Sequence, residues 1–100
     1  MNHINTYQRI TNALLVHIQR YTEREFKLRK MYVQISGKKR FVLQIENIKT
    51  SFGLDADMET RIKAYDLCVQ RASLAGVITM REYFKYCHIS DKFNNYLIKE

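Results

Sequence analysis

The feature that most constrains this chain is a change in hydrophobic period: three-four spacing gives way to strict alternation over residues 31–45 and then returns. A helical pattern cannot settle as a strand, nor the reverse, because side chains repeat every 3.6 residues on a helix and every two on a strand. The switch therefore predicts an α+β domain, mostly helical. Its expected elements are an N-terminal helix, a central β-hairpin, a long helix and two short C-terminal helices.

The first helix is read over residues 4–22, where Ile4, Tyr7, Thr11, Leu14, Ile18 and Tyr21 fall on one face and Gln8, Arg9, Asn12, Gln19 and Arg20 on the other. Thr22-Glu23-Arg24-Glu25 has the spacing of a capping box, so the chain either opens a second short helix there or continues the first to about Lys30, and a break soon after Tyr21 is preferred. In the alternating stretch, Met31, Val33 and Ile35 face one way, as do Phe41, Leu43 and Ile45. A turn over Ser36-Gly37-Lys38-Lys39-Arg40 would place Ile35 opposite Phe41, Val33 opposite Leu43, Met31 opposite Ile45 and Lys30 opposite Glu46. Tyr32 then lies on the polar face with Gln34, Val42 and Gln44, where an aromatic can stack on a base or form a cross-strand pair.

Residues 49–53 read as a connection into the long helix of about residues 55–75, whose apolar face is Met58, Ile62, Tyr65, Val69 and Ala72. Asp55, Asp57 and Glu59 mark its start and Gly76 its end. Thr79-Met80-Arg81-Glu82 is a second capping box, opening a short helix that ends near His88. Ser90 would cap the last one, with Phe93, Tyr96 and Leu97 on one face. The His88-Ile89-Ser90 spacer has the length of a helix-turn-helix connection, but His88 stands where glycine is usual and Asn94 where an apolar residue is expected. The aromatics of this pair, Tyr83 and Phe84 included, are accordingly expected to seal the core or a dimer contact rather than read DNA.

One core fits 100 residues with 46% hydrophobic content and no stretch of linker composition, so residues 1–100 are read as a single compact basic domain. Neither a leader peptide nor an apolar span of membrane length is recognised, and Cys68 and Cys87 lie in helical, apolar contexts that suit reduced thiols. A cytoplasmic location is the expectation. Cys68, Cys87 and His88 lack metal-ligand spacing, and His3 and His17 lie far from them in sequence. Glycines at 37, 53 and 76 build no phosphate loop, dinucleotide fingerprint or nucleophile elbow. No metal, no cofactor and no enzymatic activity are expected.

Charge points elsewhere. The formal net charge is +7, and it is not spread evenly: residues 1–50 hold ten Lys/Arg against Glu23, Glu25 and Glu46, whereas residues 51–100 balance seven of each sign. The surplus gathers at Arg20, Arg24, Lys27, Arg29, Lys30, Lys38, Lys39 and Arg40. Lys and Arg so concentrated attract polyanions through counterion release, which makes this segment the expected contact surface for a nucleic-acid backbone, DNA before RNA. The expected role is a small basic regulator or accessory factor, as of a virus or mobile element, with homodimerisation enlarging the contact. The alternative is a protein-binding inhibitor or adaptor that sets the same residues on an acidic surface of a host nucleic-acid-processing complex.

Overall fold

The computed structural model describes residues 3–98, with side chains described over residues 6–91. Six elements follow in chain order: α1 (His3–Phe26), β1 (Arg29–Ile35), β2 (Lys38–Ile45), β3 (Ile48–Gly53), α2 (Met58–Leu74) and α3 (Met80–Ile98). The strands form one antiparallel sheet in the order β1-β2-β3. Helix α2 lies across β3 and β2, and α1 packs against α2 and α3 on the same side. The core forms between these layers, from Leu14 and Ile18 of α1, Leu43, Ile45 and Phe52 of the sheet, Tyr65, Cys68, Val69 and Ala72 of α2, and Tyr86 of α3.

Helix α1 runs past the break expected after Tyr21. Thr22 is fully buried, and its hydroxyl donates back to the carbonyls of Ile18 and Gln19 at 2.8 and 3.1 Å rather than capping a new helix. The helix stops where Lys27 turns left-handed at φ 54°, and the Leu28 N–H reaches the Thr22 carbonyl at 3.1 Å. Phe26 and Leu28, buried on either side of that turn, anchor it. Of the expected α1 face, Thr11, Leu14 and Ile18 are buried and Tyr21 packs against the core, while Tyr7 stays partly exposed. Ile4 lies outside the described side chains.

The sheet departs from expectation in two ways. Residues 48–53 form a third strand instead of a connection. The turn between β1 and β2 is also shorter than five residues: Ser36 and Gly37 both take positive φ, 52° and 78°, which closes a two-residue hairpin. Ile35 therefore pairs with Lys38, Val33 with Arg40, Met31 with Val42, Tyr32 with Phe41 and Lys30 with Leu43. The expected pairs Ile35 with Phe41, Val33 with Leu43, Met31 with Ile45 and Lys30 with Glu46 are displaced by three residues. An odd displacement turns β1 over, so Met31, Val33 and Ile35 leave the core side.

The helix ends are closed as their sequences require. Asp57 caps α2, its Oδ1 accepting from the Thr60 N–H at 2.8 Å. Beyond Ala75, Gly76 takes φ 75°, and the N–H groups of Gly76 and Val77 return to the carbonyls of Ser73 and Ala72 at 3.0 and 2.9 Å. At α3 the capping box is reciprocal: the Glu82 N–H donates to Thr79 Oγ1 at 3.1 Å and the Thr79 N–H to Glu82 Oε1 at 2.9 Å. No second helix opens at Ser90, because α3 runs unbroken through His88, Ile89 and Ser90. With Ser90 buried in mid-helix, the helix-turn-helix reading loses its turn. Among the described residues α3 buries Tyr86 rather than Phe84, and Phe93, Tyr96 and Leu97 lie outside the described side chains.

Candidate nucleic-acid interface

The pairing divides the sheet into two faces of different chemistry. On the face toward α2 stand Phe41, Leu43 and Ile45 of β2 and Ile48, Thr50 and Phe52 of β3, joined by Lys30 and Tyr32 of β1. Leu43, Ile45, Thr50 and Phe52 are buried there, and the Thr50 hydroxyl donates to the Ala64 carbonyl at 2.8 Å. On the reverse face stand Arg29, Met31, Val33 and Ile35, then Lys38, Arg40, Val42 and Gln44, then Lys49, Ser51 and Gly53. None of these eleven residues is buried. Burial on one side only is normal for an antiparallel sheet, but an open side is usually polar throughout. This one alternates half-buried Met31, Val33 and Val42 with four cations, Arg29, Lys38, Arg40 and Lys49.

Among the described residues no carboxylate lies within 4 Å of any of these four cations. Arg40 is held in place by Nε and Nη2 hydrogen bonds to the Ser51 hydroxyl, at 3.2 and 3.1 Å. Asp55 marks the rim. Its Oδ1 stands 2.9 Å from where a Cβ on Gly53 would be, and Arg40 Nη1 3.8 Å from the same point, so the bare Gly53 backbone admits both.

The eight cations expected to form one surface are thus separated. Arg29, Lys38 and Arg40 share the open face and are joined by Lys49. Lys30 and Lys39 point to the opposite side, where β1 projects past the helices. There Tyr32 meets Phe41 edge-to-face at 5.7 Å, the cross-strand pair expected for it though with a different partner, and Lys30 Nζ lies 5.1 Å above the Phe41 ring. Arg20 and Arg24 lie exposed on α1, Arg24 paired with Glu25 at 3.2 Å, and Lys27 occupies the left-handed turn. Strand alternation is what splits neighbours in sequence onto opposite faces. Lys49 was missed although its signal was present, since Ile48, Thr50 and Phe52 alternate with Lys49 and Ser51.

Several polar groups of the helices have structural partners. The buried Tyr86 hydroxyl donates to Asp66, tying α3 to α2, and burial pushes both groups above their ordinary values. Burial likewise raises the Cys68 thiol, which disfavours its reactive thiolate. Arg61 donates to the Ala56 and Leu54 carbonyls at 2.9 and 3.0 Å and lies 5.5 Å over the Phe52 ring, closing the end of the core. Among the described residues no three His, Cys, Asp or Glu converge as metal ligands, and no helix is long and apolar enough to cross a membrane. Comparison with known protein families, with curated proteins and with solved structures finds no match to this chain.

Proposed function

We propose that the protein binds duplex DNA through the open face of its sheet, with Arg29, Lys38, Arg40 and Lys49 on the phosphates. The observation that carries this reading is four cations and no paired carboxylate on a sheet face that no helix covers. The axes of the two outer strands lie about 10 Å apart at the usual interstrand spacing of almost 5 Å. The B-form major groove is about 12 Å wide, whereas that of A-form RNA is too deep and narrow to be read by side chains. Sheets and ribbons are an established means of entering DNA grooves. Met31, Val33 and Val42 lie between the cations, where apolar groups can meet thymine methyls.

Four phosphate contacts correspond to a slope of about −3.6 in log affinity against log salt. Titration of a fluorescent 20-base-pair duplex between 50 and 200 mM salt should give that slope. Replacing Arg29, Lys38, Arg40 and Lys49 together by Ala should remove most of it and weaken binding on the order of 100-fold. A wild-type protein that binds no duplex at 50 mM salt refutes the reading.

A further inference from the structure

A second surface carries a different chemistry. Because α3 does not break at His88, the residues Arg81, Phe84, Lys85, His88 and Ile89 follow the i, i+3, i+4, i+7, i+8 pattern and share one helix face. With Tyr21 of α1 they line a groove of about 740 Å³. Its apolar side chains are uncovered: Phe84 is 60% exposed, and Met80, one turn before it and beside the groove, is 55% exposed. Clustered exposed apolar side chains rimmed by charge are the kind of surface that interaction sites use. Three of the six lining residues are basic or imidazole side chains and none is a carboxylate.

We propose that this groove receives an amphipathic helix with acidic flanks from a partner protein. The stripe from Arg81 to Ile89 is about 12 Å long at 1.5 Å per residue, just over two turns, which matches the i, i+3/i+4, i+7 anchors of a helix laid in a groove. Apolar anchors would fill the space between Tyr21, Phe84 and Ile89, while acidic flanks meet Arg81 and Lys85. A second copy of the chain is the poorer occupant, since twofold pairing would set these cations against their own copies in a molecule of net charge +7. A lipid surface is also poorer, because two cations, Arg81 and Lys85, fall short of the polybasic cluster that anionic headgroups need. The proposal is independent of the sheet face.

The test is a fluorescence-anisotropy titration of the full chain with a labelled 18-residue synthetic Ala-based helix bearing Leu at i, i+3, i+4 and i+7 and two Glu on each flank of that stripe. A matched peptide with Lys in place of Glu is the control. Saturable binding of the Glu peptide is expected, at least tenfold tighter than the Lys peptide. Phe84→Gln should weaken it tenfold or more, and Arg81→Glu with Lys85→Glu should invert the preference. Phe84 and Arg81 are exposed, so these variants keep the fold, which circular-dichroism melting checks. Arg29→Ala with Arg40→Ala should leave peptide binding unchanged, which separates this site from the sheet. No binding of the Glu peptide, equal binding of both peptides, or no effect of Phe84→Gln overturns the proposal. It is equally overturned by binding to phosphatidylserine/phosphatidylcholine vesicles without peptide binding, or by a dimer in sedimentation that Phe84→Gln abolishes.

Discussion

The two faces of the sheet are made by the same three strands, yet one is a core and the other a charged surface. On β2 the neighbours Val42 and Leu43 differ by one position: Leu43 is fully buried under α2, and Val42 is half-buried on the open side between Met31 and Ser51. Hydrophobicity alone does not assign the faces, since both carry Val, Ile, Met or Phe. Coverage does, and coverage follows from α2 lying on β3 and β2 while β1 projects beyond it. The lesson is that β1 is free to present either side, so its register is set by the hairpin turn rather than by the core.

That difference can be broken most severely at Leu43. Leu43→Ala should cost about 2–5 kcal/mol by urea denaturation, while Val42→Ala next to it should cost about 1 kcal/mol or less. Equal losses would mean that the open face is also packed. The turn comes next: Gly37→Ala places a Cβ at φ 78° and should cost about 1 kcal/mol. Tolerance of alanine with no loss would contradict the left-handed conformation at Gly37.

The helix caps give a smaller effect, one that depends on pH. Hydrogen bonds from the Thr60 hydroxyl and N–H hold the Asp57 carboxyl below its ordinary value, and those from the Thr79 N–H and hydroxyl do the same for Glu82. The native state therefore binds fewer protons there than the unfolded chain. Their contribution is present above the ordinary carboxylate range and is lost as pH falls through it toward the lowered native values. Asp66 has the opposite sign: burial raises its carboxyl, so its contribution is present at acid pH and is lost as pH rises through the raised value. Melting from pH 3 to 7 should show a flatter acid limb for Asp57→Asn with Glu82→Gln. A limb unchanged from wild type would contradict the cap assignments.

How much of this was legible in the sequence depends on whether local chemistry or coverage decided each element. The end of α2 and the cap of α3 were readable because Gly76 and the Thr79/Glu82 pair satisfy backbone groups within a few residues of themselves, whereas α2 starts at Met58 with Asp57 as its cap rather than in its first turn. The end of α1 was not, because a threonine followed by an acidic residue three positions on signals a cap only when the threonine leaves the helix, and Thr22 is instead buried in it. The hairpin was legible from alternation, but its register depended on Ser36 accepting a left-handed φ that its side chain does not advertise. Three residues of turn were assigned to solvent when they belong to β2, and this alone moved Lys39 to one face and Lys38 and Arg40 to the other. The basic content of the candidate site was therefore visible, and its division between faces was not.

The most direct measurement of the central claim removes equal charge from the two sides of the sheet. Arg29→Ala with Arg40→Ala strips two cations from the open face, and Lys30→Ala with Lys39→Ala strips two from the other. Both variants and the wild type are titrated with the same 20-base-pair duplex over 50 to 200 mM salt. The account predicts that the open-face pair lowers the salt slope by about 2 and weakens binding at least tenfold, with the opposite pair far closer to wild type. Equal losses would make binding a matter of net charge alone, and a larger loss from Lys30 and Lys39 would place the interface on the wrong side of the sheet.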